Sequence, residues 1–352
     1  MQNKNNEKKD ENYNLTYENC WKAIIRPPRD EYDISELGSL KMLSQKELCF
    51  RQDYSLMTKR GFMIECSFFR FDLNLRNPTL RPCVIYLHGN SSSRIEGKKM
   101  AYYLLAKKIE LFVFDFPGSG KSEGEYISLG YHEQDVVKIV IDFVQKLPGV
   151  GNIGLWGRSM GAATTLLYVY KDERVKAICV DSPFADFNQL ALQICKKEKG
   201  VPNFIVNFVL FFVKKTIRKK NDMQIEALKP IDYVDKAKVP AIFIHAKHDD
   251  LIPYEHTIQL CNKYGGKKSI NIVEGDHNTP RPKHIILKIV NFFKENLDID
   301  ENENVKNCIK EESKKQNNNI MDENNINKIN DEDDLVVEND EDEDQNGDDN
   351  DD

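Results

Sequence analysis

The sequence predicts an α/β fold built on a mostly parallel, doubly wound sheet with a helical cap insertion. Three observations predict it. Short, continuously apolar runs rich in Val, Ile and Phe recur along the chain, as strands covered on both faces require. Helix-like segments of ordinary length alternate with those runs. A single stretch of almost sixty residues breaks the alternation, between 181 and 240, and has its own apolar helical pattern.

The buried strands are read at 83–88 ("CVIYLH"), 111–116 ("LFVFDF"), 152–157 ("NIGLWG"), 176–181 ("KAICVD"), 240–246 ("PAIFIHA") and 269–273 ("SINIV"). Helices are read at about 97–108, 130–146, 160–171, 254–264 and 283–297. Upstream, "ELCFRQ" and "FMIECSFFRF" form an antiparallel pair with a turn near Lys59, Arg60 and Gly61, at one edge of the sheet. The long insertion leaves the carboxyl end of a strand, where open α/β sheets bind ligands. Residues 184–232 are therefore expected to roof the site as a cap.

The 352 residues divide unevenly by charge. Residues 301–352 hold 20 acidic and 5 basic residues, a charge of −15, against −7 for the whole chain, so the remainder carries +8. A tail of this composition cannot bury enough apolar surface to offset its ordering entropy, and disorder is expected there. Residues 1–20 have a similar polar makeup, which leaves 21–300 as the folded domain. The eight cysteines include no closely spaced metal pair, and several lie in apolar runs, which fits reduced buried thiols in an intracellular protein. No signal peptide or myristoylation motif is read at the N-terminus. The longest apolar run, "FIVNFVLFFV" at 204–213, is too short to span a bilayer. These features together predict a cytoplasmic protein.

The stretch "NIGLWGRSMGAATTLLYVY" carries the chemistry. Ser159 stands alone between a strand and a helix, with glycines two positions away on each side. A sharp strand-to-helix turn lifts such a serine clear of the sheet, and small neighbours let the chain pass closely. The next amide, that of Met160, sits at a helix N-terminus and can donate to a developing oxyanion. The competing reading is an N-cap serine in a glycine-rich turn. Other loops argue against it. "YLHGNSSS" follows the strand at 83–88, and its turn can supply a second oxyanion amide from Asn90 or a neighbour. "HAKHDDLIPYEH" follows the strand at 240–246 and offers Asp249 or Asp250 to orient an imidazole, with Asp249 preferred. "EGDHNTPRP" follows the last strand and carries His277; His248 is the one rival histidine.

The order Ser, Asp, His is that of the α/β-hydrolases. The motifs "CVIYLHGNSSSRIEG", "FVFDFPGSGKSEGEY", "IGLWGRSMGAATTLLY", "VPAIFIHAKHDDLIP" and "EGDHN" resemble that superfamily over roughly 22–297. They are most similar to the branch of serine aminopeptidase-like proteins, monoglyceride lipases and protein depalmitoylases of the α/β-hydrolase-domain type. The resemblance implies Ser159 as nucleophile, Asp249 as acid, His277 as base, and the Asn90 and Met160 amides as oxyanion hole, with no metal or other cofactor. Two departures are Ala246, where relatives often have glycine, and Arg158, bulkier than some relatives carry. Only Cys20 stands where depalmitoylases carry an N-terminal cysteine cluster.

The expected reaction is hydrolysis of acyl esters or thioesters, of lipid or acyl-protein type. The apolar cap residues Phe204, Phe208, Phe211 and Phe212 are expected to bind the acyl chain. The basic run "KKTIRKK" at 214–220 is expected to give peripheral membrane contact through the cap. The alternatives are an aminopeptidase-like peptidase and a non-catalytic scaffold on a hydrolase fold. No nucleic-acid partner is expected, because the basic residues are dispersed. The sequence leaves the oligomeric state open.

Overall fold

The structure, a computed structural model, describes residues 16–44, 47–72, 79–197 and 203–298. The expectations for residues 1–15 and for the acidic tail 301–352 lie outside the described residues. In chain order the strands are β1 (Lys41–Ser44), β2 (Glu47–Met57), β3 (Met63–Phe71), β4 (Arg81–Leu87), β5 (Glu110–Phe114), β6 (Val150–Arg158), β7 (Val175–Asp181), β8 (Ala241–Ala246) and β9 (Lys268–Val273). The α-helices are α1 (Tyr17–Ile25), α2 (Arg94–Lys98), α3 (Ala101–Leu105), α4 (Glu133–Val144), α5 (Met160–Tyr168), α6 (Phe187–Lys197), α7 (Asn203–Asn221), α8 (Glu255–Lys263) and α9 (Lys283–Leu297).

The strands form one sheet of order β1-β2-β3-β5-β4-β6-β7-β8-β9. The first three pair antiparallel, and β5 through β9 run parallel. From β4 the chain moves outward to β5 and then returns past β4 to β6. That reversal is the switch point at which open α/β sheets hold their ligands. Leu87 lies opposite Gly157 in the β4–β6 register, so the loops that follow both strands start at the same level.

Apolar clusters cover both faces. One gathers side chains from α1, α4, α5, α7 and α8, the other from α3 and α9. All nine residues of α5 are buried. Its Thr164 and Thr165 hydroxyls donate back to the carbonyls of Met160 and Gly161, so no polar group is stranded.

Three local readings differ from the structure. Residues 17–20, expected in the disordered N-terminal segment, belong to α1. Thr16 caps this helix, Trp21 and Ile25 are buried, and Lys220 of α7 lies over the Trp21 ring. The segment read as one helix at 97–108 is two short ones, α2 and α3. A Cβ on Gly97 would meet the Tyr86 ring at 2.7 Å, so α2 packs tightly on the sheet. The strand at 269–273 is not buried: β9 is an edge, and Ile270 and Ile272 are exposed. The antiparallel pair is also extended by β1, a short strand that the sequence reading did not include.

Between β7 and β8 stand α6, α7 and two 3-10 turns, in the region read as the cap. Helix α7 turns Val213 and Ile217 inward. Its Phe208 and Phe211 are 64% and 62% exposed, and Phe212 is exposed as well. The sequence reading expected these rings to bind an acyl chain; Phe208 and Phe212 face outward, and Phe211 also borders an apolar groove between α1, α6 and α7. Among the described side chains the helix meets the core through Val209, Val213 and Ile217, and Phe208, Phe211 and Phe212 lie on the other face, edge to face with one another. The side chain of Phe204 lies outside the described residues. No helix among the described residues is long and apolar enough to cross a membrane.

Candidate active site

Ser159 is placed by its backbone. It has φ 50° and ψ −112°, a left-handed conformation that a non-glycine residue adopts only at a cost. Its amide donates to the Asp181 carbonyl on β7 at 2.8 Å. Both flanking glycines are required by space: a Cβ on Gly157 would lie 2.3 Å from the Gly161 oxygen. Ser159 stands at the end of β6 and is buried, 7% exposed.

His277 reaches it from the loop after β9. Its Nε2 is 3.1 Å from Ser159 Oγ, and its Nδ1 is 2.6 Å from Asp249 Oδ2. The other carboxylate oxygen of Asp249 accepts the amides of Leu251 and Ile252 at 3.0 and 2.7 Å. Burial pushes the Asp249 carboxyl up, but hydrogen bonds from His245, His277 and the Ile252 amide outweigh it and hold the group well below the usual carboxylate range. Asp250 is exposed, and His248 is exposed beside Glu274 at 3.1 Å. Neither joins this cluster. Asp181 is engaged elsewhere: Arg281 holds both of its oxygens and ties the His277 loop to the end of β7.

The loop after β4 is set by His88. The Phe116 amide donates to His88 Nε2 at 3.0 Å, so the proton sits on Nδ1, which donates to the Gly89 carbonyl at 2.8 Å. In a trans peptide the N–H points opposite the C=O. Fixing the Gly89 carbonyl therefore fixes the direction of the Asn90 N–H. Met160 opens α5, so its own N–H has no carbonyl one turn earlier to bond. Gly89 itself packs against the Ser159 turn, where an added Cβ would lie 3.6 Å from the Ser159 β carbon. The arrangement can deprotonate a hydroxyl, add it to a carbonyl, and hold the resulting charge.

The structure joins Ser159, His277 and Asp249 in one run of hydrogen bonds, with Met160 next to Ser159 in the chain and Gly89, the neighbour of Asn90, packed against the Ser159 turn. The sequence reading missed three supporting groups. His245, at the end of β8, is 3.2 Å from Asp249 and backs the acid. Arg158 and Glu96 form a 2.7 Å ion pair beside the Ser159 turn. Burial opposes the Arg158 charge, but the Glu96 and Asp181 carboxylates outweigh it and raise the guanidinium above its ordinary value. No local pattern marks either residue.

A family model described as serine aminopeptidase, S33, matches residues 78–221. An uncharacterised Bacillus subtilis protein, YqkD, is 28% identical over 221 residues, covering 61% of this chain and 71% of that one. The lysophosphatidylserine lipase ABHD12 of Danio rerio is 24% identical over 196 residues, covering 54% of this chain and 49% of that one. The fold is also that of the Pyrococcus furiosus esterase Pf2001, with a TM-score of 0.59 and 20% identity, over 78% of this chain and 99% of that one.

Proposed function

We propose that this chain, which belongs to the α/β-hydrolase superfamily, is a serine hydrolase cleaving acyl esters or thioesters. The observation that carries the reading is the relay from Ser159 through His277 to Asp249, with contacts of 3.1 and 2.6 Å. His277 takes the Ser159 proton as the oxygen attacks the acyl carbonyl. The Asn90 and Met160 amides hold the oxyanion, and the leaving alcohol or thiol receives the proton. Water then attacks the acyl-enzyme by the same path and frees the acid.

The preference for an acyl over an aminoacyl substrate rests on the cap. A peptidase that grips a free amine needs a carboxylate to spare. In the described cap, Asp186 pairs with Lys229 and Glu226 with Lys214, and the remaining carboxylates, Asp222 and Asp232, are exposed on the surface. An apolar groove of about 300 Å³ lies between α1, α6 and α7, walled by Phe187, Leu192, Leu210, Phe211 and Ile225. We assign the acyl chain to this groove, whose size suits a small ligand. The outer face of α7 adds a continuous stripe of Phe208, Phe211 and Phe212 followed by Lys215, Arg218 and Lys219, all exposed. Aromatic and basic residues on one helix face suit an anionic bilayer surface, and we read peripheral contact there.

A series of p-nitrophenyl esters, acyl thioesters and aminoacyl nitroanilides tests the reading, run on the full chain and on Ser159→Ala. Each buried methylene is expected to raise kcat/KM by about 0.8 kcal/mol of transition-state binding until the groove fills. Nitroanilides cleaved faster than any ester would favour the peptidase reading. Failure to react with a fluorophosphonate probe would favour a scaffold.

A further inference from the structure

We propose that Glu96 and Arg158 are positioning residues: their ion pair holds the Asn90 amide and the His277 imidazole in register on either side of Ser159. The proposal rests on the hydrolase reading and deepens it. Arg158 is the residue before Ser159. One guanidinium nitrogen donates to Glu96 Oε1 at 2.7 Å, and the other donates to the main-chain carbonyl of His277 at 2.8 Å. Glu96, on α2, uses its second oxygen to accept the Gly89 amide at 2.8 Å. One chain of three hydrogen bonds thus joins the loops after β4, β6 and β9. Those are the loops that carry Asn90, Ser159 and His277.

Neither side chain contacts a reacting atom. Each holds a main-chain group next to one that does. Glu96 fixes the peptide before the one that presents the Asn90 N–H. His88 fixes that next peptide by its carbonyl, so two consecutive peptide planes are set from opposite sides. Arg158 fixes the carbonyl of His277 itself, at the root of the ring that must meet both Ser159 and Asp249. The side chains are 21% and 13% exposed, so the pair is largely withdrawn from water. A buried ion pair is weak evidence of stabilisation, because desolvation offsets most of the attraction. This one spends its remaining hydrogen bonds on two active-site loops, and that is the reason to assign it a positioning role. The planar fork of arginine suits two partners lying in different directions; an ammonium is a point charge on a flexible stem.

The test compares Arg158→Met, Arg158→Lys, Glu96→Gln and the double variant Arg158→Met/Glu96→Gln in the full chain. The readouts are steady-state kinetics with p-nitrophenyl butyrate, the rate of fluorophosphonate labelling, and thermal melting. Because misplacement by about 1 Å can cost about 10²-fold, Arg158→Met is expected to lower kcat by about that much, with labelling falling in parallel. KM should stay within about threefold, since ground-state binding is not involved. Arg158→Lys should recover about tenfold, since it can hold one of the two partners. The double variant should be no worse than Arg158→Met alone, as expected for residues acting as one unit. A kcat within about threefold of wild type in Arg158→Met, a defect confined to KM, or losses that multiply in the double variant would each overturn the proposal. If Arg158→Met does not fold, full kcat in both Arg158→Lys and Glu96→Gln overturns it. Ser159→Ala separates the two readings: an active Ser159→Ala sinks the hydrolase assignment, whereas an inactive one beside an unimpaired Arg158→Met sinks only the bridge.

Discussion

Gly161 lies directly under the Leu87 carbonyl, so close that a Cβ on it would sit 2.0 Å from the oxygen. The first turn of α5 and the end of β4 can approach this closely only because the position has no side chain. Gly161→Ala must therefore push β4 and α5 apart, and the displaced atoms are backbone. Overpacking of this kind costs about 1–3 kcal/mol. The expected outcome is a lower melting temperature together with slower fluorophosphonate labelling of Ser159. A variant with wild-type values of both would show that the contact has no bearing on the site.

Replacing Ser159 by alanine should leave melting unchanged and remove at least about 10⁴ of the turnover, as in other triads. Ester hydrolysis and probe labelling check this together. Retained turnover would exclude the serine.

Asp249→Asn should damage turnover far more than Asp250→Asn. Only Asp249 meets His277 Nδ1, and an amide there favours the wrong tautomer. The ratio of the two kcat values is the measurement, and a ratio near one or below would refute the assignment.

Glu110 makes a stability prediction with a definite sign. It is fully buried, one oxygen accepts the Phe71 amide, the other has no partner, and Arg70 is 3.6 Å away. Burial pushes its carboxyl up to about 7, and Arg70 and the Phe71 amide only partly offset this. In the unfolded chain the group ionises near ~4.3. Between those values the folded state holds the extra proton, so stability falls as pH rises through the window. Relative to Glu110→Gln, which resembles the protonated acid, the wild type should lose melting temperature as the pH rises from about 4 to 7. Parallel curves would contradict the argument.

The stripe on α7 predicts binding to sedimenting vesicles that contain phosphatidylserine. Each basic side chain near such a surface contributes about 1 kcal/mol. Lys215→Gln/Arg218→Gln/Lys219→Gln should therefore weaken partitioning by about a hundredfold. Ester turnover in the absence of vesicles should not change. Equal binding by the triple variant, or equal binding to neutral vesicles, would remove the membrane reading.

The sheet and the three-residue relay were legible because each part obeys a local rule. A buried parallel strand is a continuous apolar run, and Ser159, Asp249 and His277 each fall in the loop that follows one. The supporting shell follows no such rule. Glu96 and Arg158 are 62 positions apart, Asp181 and Arg281 are 100 apart, and in its own segment each looks like an ordinary surface charge. Edge position is equally hidden, since "SINIV" reads the same at the centre of a sheet as at its rim. Only the strand order leaves one side of β9 uncovered. Helix α1 was missed because two buried side chains, Trp21 and Ile25, hold it to a cap met almost two hundred residues later, where Tyr17 donates to the Phe212 carbonyl.

The positive φ of Ser159 also limits which side chains could take its place. A left-handed backbone tolerates an unbranched β carbon at modest cost and is a genuine outlier for a branched one. Threonine supplies the same hydroxyl but adds a methyl on that carbon, so Ser159→Thr should cost the turn its geometry. Ser159→Cys keeps the unbranched carbon and should fold as the wild type does, with sulfur in place of oxygen. The elbow therefore selects among nucleophiles by shape before chemistry: of the two aliphatic alcohols available to a protein it accepts one, and the nearest alternative open to it is a thiol.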